Sequence, residues 1–294
     1  MESGMRPLND DSVSKVYELG ESEDLSIVFL TPNLKNPVSV KFLDYVKSST
    51  IETRIIAVES SGKGFSFAKS WNKGIDAFKK KPSKFLIFSH DDVEFTPSFL
   101  ENMHSLSRSH LSDTILMPIS YEGERLVYPF INFLPANFFT VSSLASYLPI
   151  FTLNLFEGLR HGLHERYFPE TEDPINVNKI KKVPPNTFPR LLPICIMPQI
   201  TIDKLSYFDE NFFFGEDIEF TFRALLNGTK FGLIRSFSVN HYGSFNVGKR
   251  ELKKGNEKAT HIHKELVSYR KLWVKYKSEY ERLKNLAKVN FFIL

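Results

Sequence analysis

The chain is expected to fold as α/β, with a mostly parallel central sheet flanked by helices, and three features of its 294 residues carry that expectation. Short apolar runs alternate with amphipathic stretches, the pattern of successive βαβ units. The runs are apolar throughout rather than alternating in polarity, as in strands buried on both faces. They also end in turn formers or acids, which a parallel sheet delivers to the edge where open α/β folds bind ligands.

Residues 1 to 24 are polar and acidic and read as an N-terminal extension. The first strand runs from Leu25 to Leu30 and is closed by Thr31, Pro32 and Asn33, since proline and turn formers end a strand. Val38, Phe42, Leu43 and Val46 then fall at helical spacing. A second strand from Arg54 to Val58 ends in Glu59 and a Ser-Ser-Gly-Lys-Gly loop, and a helix from about Ser66 to Lys79 follows. The third strand, starting at Phe85, stops abruptly at His90, Asp91, Asp92, Val93 and Glu94. A helix around Phe99 to Leu106 and a strand from Thr114 to Met117 continue the alternation.

The pattern breaks between Leu126 and Phe156, a stretch with no formally charged residue. It is long enough to span a bilayer, yet Pro129, Pro135 and Pro149 with several polar residues lower its hydropathy, and a span there would cut the α/β domain in two. An insertion at about 121–190 is expected instead, forming an apolar acceptor groove, an oligomer contact or an interfacial membrane patch. The core resumes from Leu191 to Met197. A helix then begins at Glu216, Asp217 and Glu219 after a Gly215 turn and stops at Asn227 and Gly228. A strand from Phe231 to Ile234 and a polar loop with His241 close the domain at about residue 248. In the segment 249–294, Leu266, Tyr269, Trp273, Tyr276, Tyr280, Leu283 and Ala287 make a helical stripe that suits packing on the parent domain or on a partner helix.

Composition narrows the setting. The single cysteine, Cys195, has no partner for an internal disulfide, and the N-terminus has no apolar signal core, so a reducing, cytoplasmic location is expected. The net charge of +4 conceals an asymmetry: Lys249 to Lys288 holds 13 Lys and Arg against 5 Asp and Glu, leaving the remainder mildly acidic. That basic segment suits the inner face of an anionic membrane or a solvated helix face. Nucleic acid is not an expected partner, because no recognition module accompanies the charge.

Adjacent Asp91 and Asp92 at a strand end crowd two negative charges, which a cation would compensate. Oxygen ligands of this kind suit Mg2+ or Mn2+ completed by substrate phosphates, and a helix-capping turn explains the pair equally well. Glu216 and Asp217 follow a glycine turn in aromatic surroundings, where a carboxylate has the raised basicity of a general base; helix-dipole complementarity is the alternative. His241 is a candidate third metal ligand as a neutral imidazole.

In order, Thr31-Pro32, Glu59, the Ser70 to Gly74 run Ser-Trp-Asn-Lys-Gly, the Ser89 to Glu94 run, the Phe208 to Glu219 block with its Phe-Phe-Gly-Glu-Asp-Ile-Glu core, and the His-Tyr-Gly that starts at His241 together resemble the GT-A glycosyltransferases, especially family 2 and its rhamnosyltransferase-like members. The resemblance covers roughly residues 25 to 245 outside the insertion. It implies the GT-A nucleotide-diphospho-sugar transferase fold, and a metal-dependent, inverting transfer from a nucleotide-sugar donor to a glycan or lipid-linked acceptor. It places Thr31, Pro32, Glu59, Asn72, His90, Asp91 and Glu216 around the nucleotide sugar, Asp92 and His241 on Mn2+ or Mg2+, and Asp217 as the catalytic base. His90 departs from the family pattern, standing where many members have the first aspartate. A homo-oligomer, a catalytically silent glycan-binding or membrane-adaptor protein, and a nucleotidyltransferase stay open as alternatives. The last is disfavoured because Thr31 to Lys35 lacks phosphate-cradling glycines.

Overall fold

The computed structural model describes residues 6–10, 14–61, 65–96, 98–109, 113–123, 125–127, 129–133, 147, 182–191, 193–212, 215–242 and 256–294. In chain order the strands are β1 (Arg6–Asp10), β2 (Ser14–Leu19), β3 (Leu25–Thr31), β4 (Arg54–Ser60), β5 (Phe85–His90), β6 (Val93–Glu94), β7 (Thr114–Glu122), β8 (Arg125–Val127), β9 (Phe130–Asn132), β10 (Thr187–Pro189), β11 (Ile194–Pro198), β12 (Lys230–His241) and β13 (Phe291–Ile293). The helices are α1 (Pro37–Lys47), α2 (Phe67–Lys80), α3 (Phe99–Ser109), α4 (Gln199–Leu205), α5 (Glu216–Leu226), α6 (Asn256–Tyr276) and α7 (Tyr280–Asn290), with a 3-10 turn at Lys277–Glu279 before α7.

An 11-stranded sheet runs β1-β2-β4-β3-β5-β11-β7-β12-β13, with β6 added to β12 and β8 to β7; β9 and β10 pair separately. β4, β3 and β5 are parallel to one another, and so are β7, β12 and β13. β11 separates the two groups and is antiparallel to both neighbours. This is the expected α/β architecture with a mostly parallel sheet. Every residue of β3 is buried, and residue parity sorts its two faces. Val28 and Leu30 join Ile75 and Phe78 of α2, whereas Ile27 and Phe29 join Phe42 and Val46 of α1. The aromatic-rich insertion falls largely outside the described residues, of which only its ends, from β8 to β9 and around β10, bear on the core.

Strands from both the expected N-terminal extension and the C-terminal segment join the sheet. β2 lies antiparallel on β4 from Ser14↔Ser60 to Leu19↔Ile55, and β1 extends the edge. The reason is local: Val16 is buried in the core while Lys15 stays exposed, an alternation too short to stand out among polar neighbours. Arg54 reinforces the edge from the core. Its guanidinium, almost fully buried, meets Glu18 of β2 and donates to the carbonyls of Ala77 and Lys81, which the end of α2 leaves unpaired. At the other end, the stripe on α6 and α7 packs in cis: Tyr276, Tyr280, Leu283 and Ala287 are buried with Phe222 and Phe220 of α5. β13 then pairs with β12 in register Phe231↔Phe291.

Glu219 fixes this C-terminal packing. Fully buried, its carboxylate accepts bonds from Arg223 Nη2 at 3.0 Å, Lys275 Nζ at 2.8 Å and Tyr276 Oη at 2.7 Å. Burial alone would push its pKa up, but Arg223, Lys275 and Tyr276 outweigh it and hold the carboxyl below the ordinary 4.5. A folded-state pKa below the unfolded one adds stability at higher pH that is lost as pH falls. Glu219→Gln is therefore expected to cost about 3 kcal/mol at pH 7, the scale of a broken buried ion pair. In urea titrations from pH 7 to pH 3 the wild-type advantage should shrink through the acid range; an unchanged gap would contradict the assignment.

Gly74 sets how closely α2 approaches the sheet. A Cβ there would lie 2.3 Å from Val28 Cγ1 and 3.4 Å from Val58 Cγ2. Gly74→Ala should destabilise by about 1–3 kcal/mol through overpacking, despite alanine's better helix propensity. Denaturant midpoints would show it, and a stabilised variant would refute the close-packing role.

Candidate functional site

The site is assembled where β5 stops. Its terminal residue His90 leads into a turn at Asp91 and Asp92, and β6 then pairs antiparallel with the end of β12, Asn240↔Glu94 and His241↔Val93. Tyr242 N–H donates to the Asp92 carbonyl at 2.8 Å, locking the turn. β12 reaches this point through an irregularity: it matches Ile234 to Pro118 of β7, then Ser238 to Ile119. Pro118 has no N–H to offer, so the ladder breaks there with little loss. The slip brings Asn240 opposite Tyr121 and sets His241 beside Glu122, with His241 Nδ1 at 3.2 Å from Glu122 Oε1.

The two aspartates diverge. Asp91 turns inward, accepting from Ser39 Oγ at 2.5 Å; Ser39 Oγ in turn lies 2.7 Å from Thr31 Oγ1. Burial pushes the Asp91 pKa up, against the pull of Ser39 and Thr31. Glu59 Oε2 accepts the Leu34 N–H at 2.9 Å and braces the loop that begins at Pro32. Thr31, Asp91 and Glu59 thus stand together at the ends of β3, β5 and β4. Asp92 turns the other way, its Oδ1 3.2 Å from His241 Nε2 and 4.0 Å from His90 Nδ1.

His90, Glu216, Asp217 and His241 line one cavity of about 210 Å3. Phe67, Trp71, Phe88 and Phe208 give it an aromatic wall, with Trp71 edge-on to Phe88 at 5.0 Å. Gly215, in the left-handed region at φ 71°, turns the chain into α5 so that Glu216 and Asp217 occupy its first turn. Ile218 N–H donates to Asp217 Oδ1 at 2.9 Å, while Glu216 Oε2 is buried without a hydrogen-bond partner. Burial and the neighbouring Asp217 lift Glu216 to about 8. Burial lifts Asp217 as well, and Arg190 opposes the shift. Basic carboxyls against an apolar wall are suited to taking a proton from a bound hydroxyl.

Asn72 is not among the residues that line this cavity. Its amide donates to the Phe208 carbonyl at 3.0 Å and to Glu210 Oε1 at 2.9 Å, and its oxygen accepts the Phe208 N–H at 2.8 Å. It clamps α2 to the loop before α5 and thereby sets Phe208 in the wall. Glu122 and Arg190 line the cavity without having been anticipated. Both fall at the two ends of the expected insertion, where no motif marks them.

The donors at Asp92 suit a divalent cation. His90, Asp92 and His241 can each point one ligand atom so that all lie within 4.8 Å of one another. Asp92 Oδ1 and His241 Nε2 are buried 3.2 Å apart, and among the described residues neither has another hydrogen-bond partner. A cation between them would satisfy both atoms. Burial lowers His90 to about 4, while His241, despite burial, is raised to about 9 by Asp92 and Glu122.

No family model and no curated protein matches the sequence. Among solved structures, TarS of S. aureus, residues 1–349, is similar with a TM-score of 0.46 at 12% identity, over 87% of this chain and 74% of that one. The same protein in complex with UDP-GlcNAc gives 0.41 at 12% identity, over 88% and 79%. A thioesterase domain from the curacin biosynthetic pathway gives 0.30 at 12% identity, over 99% and 92%. Scores this low do not decide between activities.

A carboxyl with a raised folded-state pKa lowers stability as pH rises through that pKa. Glu216→Gln replaces the carboxyl by an amide, so a carboxyl signal titrating near pH 8 in 13C NMR of the wild type should be absent from the variant. The stability lost as pH rises from about 4.5 to about 8 should shrink in the variant. Retention of that titration in the variant would remove Glu216 as its source.

Proposed function

We propose that this protein is a nucleotide-sugar glycosyltransferase whose donor and acceptor meet in the cavity between Asp92 and α5. The single observation that carries the reading is that one aromatic-walled cavity is lined both by the raised Glu216–Asp217 pair and by the histidines flanking Asp92. The GT-A-like order of motifs supplies the roles. Thr31, Pro32, Glu59 and Asp91 hold the nucleotide, the first three around the loop after β3 and Asp91 at the neighbouring strand end. Asp92 and His241 hold the divalent ion, Mn2+ or Mg2+. When bound, that ion offers Lewis-acid stabilisation of the departing diphosphate's charge.

The remaining work falls to the chain's own side chains. Asp217 accepts the proton of the acceptor hydroxyl as that oxygen bonds to the anomeric carbon, while the bond to the nucleotide diphosphate breaks. Its basicity comes from burial. The wall formed by Phe67, Trp71 and Phe208 offers apolar faces to sugar rings and excludes water, so transfer competes well with hydrolysis. A single displacement inverts the anomeric centre. Arg190 adds a positive charge close to the acids and tempers their repulsion for an anionic donor.

A glycan or lipid-linked acceptor fits the uncharged stretch from residue 126 to 156 and the basic C-terminal helices, whose apolar stripe is already packed on the domain. Among the described residues no helix is long and apolar enough to cross a membrane, so the proposed contact is peripheral, at the cytoplasmic face. The type of hexose or deoxyhexose transferred is open to direct assay.

A screen of nucleotide sugars for metal-stimulated hydrolysis and transfer tests the reading. One donor is expected to turn over, with NMR of the product showing inversion. Asp217→Asn should lower kcat roughly 100- to 10,000-fold, the range of a lost general base, with donor affinity retained. Absence of turnover for every donor, or retained donor configuration in the product, would refute the corresponding part.

A further inference from the structure

We infer that His90 is a third protein ligand, so that His90, Asp92 and His241 form a two-imidazole, one-carboxylate site selective for Mn2+ and later transition ions over Mg2+. The inference deepens the donor-site reading above by specifying its metal. It rests on geometry that the motif resemblance does not contain, because the resemblance puts an aspartate where this chain has His90.

Distances come first. Ligand atoms bound at about 2.1 Å to one octahedral ion lie about 3.0 Å apart in neighbouring positions and about 4.2 Å apart in opposite ones. Here Asp92 Oδ1 is 3.2 Å from His241 Nε2 and 4.0 Å from His90 Nδ1, within that span. The imidazole rings of His90 and His241 stand 5.7 Å apart with 66° between their planes, and each has one ring nitrogen within 4.0 Å of the same Asp92 oxygen.

Each imidazole is also held from behind. His90 is stacked on Phe67 at 5.6 Å and 9°, and its ring faces Trp71 at 5.9 Å and 30°. Its backbone N–H is bonded to the Pro193 carbonyl at 3.0 Å. His241 has Glu122 at its Nδ1, leaving Nε2 to face Asp92, the arrangement in which an outer carboxylate orients a metal-bound histidine. Asp92 Oδ1 and His241 Nε2 are buried and, among the described residues, face only each other, 3.2 Å apart, a spacing that suits two ligands on one ion. A hydrogen bond from His90 to Asp92 is not the explanation, since 4.0 Å is too long for one.

Selectivity follows from ligand chemistry. Mg2+ prefers oxygen ligands and retains its waters, whereas imidazole nitrogen suits the transition ions. Replacing the first aspartate of the motif by His90 exchanges a carboxylate for a second imidazole and removes one negative charge. Both changes act against Mg2+.

The test uses the full chain stripped with chelator, titrated with Mn2+ and Mg2+, alone and with saturating UDP, by EPR and calorimetry. Pulsed EPR of the Mn2+ complex is expected to show nitrogen coupling from two imidazoles. Mg2+ should displace Mn2+ only at more than about 100-fold excess, as its aversion to imidazole nitrogen requires. His90→Ala should remove one nitrogen coupling and weaken Mn2+ more than about 10-fold. Glu122→Gln should weaken it about 10- to 100-fold, with two couplings retained. His90→Asp should narrow the Mn2+/Mg2+ gap. The wild-type spectrum stands without any variant, so a misfolded variant does not decide the outcome. Mn2+ bound with fewer than two nitrogen couplings, Mg2+ competing on equal terms, or no Mn2+ binding under either condition would overturn the inference. Nitrogen-coupled Mn2+ that never responds to UDP would instead leave this site standing and count against the donor reading.

Discussion

The candidate site depends on a two-residue pairing. β6 is only Val93–Glu94, yet its bonds to His241 and Asn240 carry the end of β12 across to the turn that follows β5. Without the register slip after Ile234, β12 would run past this turn with a different residue opposite Glu122. A slip by an odd number of positions also exchanges the faces of the strand. The bulge therefore decides both the reach and the direction of His241, and every proposed metal contact follows from it.

The three acids of α5 show how one helical turn is divided between two tasks. Glu219 faces the C-terminal helices and is fully satisfied by Arg223, Lys275 and Tyr276, so its burial stabilises the fold. Glu216 and Asp217 face the cavity with few partners, so their burial opposes ionisation and raises their basicity. The same helix is anchored through one carboxylate and made reactive through two others. The anchoring helps keep the acids in place, because a helix held by α6 and α7 does not readily relax to relieve the unpartnered Glu216 oxygen.

Much of the architecture was legible in order. Fully apolar runs separated by amphipathic stretches announced β3, β4, β5 and β7 with α1, α2 and α3 between them, because burial on both faces demands that composition. Gly215 and the Asn227–Gly228 stop framed α5 for the same reason of backbone chemistry. The edges were not legible. β2 carries only a short alternation around Val16, and its attachment to the core depends on Arg54 and Glu18, 36 positions apart in sequence. Asn72 was read as a ligand contact, though a buried amide bonded to the Phe208 backbone is equally a clamp.

The sequence by itself determined the strand-end acids and the glycine turn that opens α5, since local periodicity and turn chemistry fix where chain segments begin and end; it put His241 in a loop, where the structure makes it the last residue of β12. Only the tertiary structure decided how they combine: Asp91 goes to Ser39 and Thr31, Asp92 to His241, and His90 to the same oxygen as His241. It also brought in Glu122 and Arg190, which no spacing marks. The physical reason is that strand order, the antiparallel passage of β11 and the β12 slip are set by long-range pairing. Two residues separated by more than a hundred positions become neighbours through those registers alone.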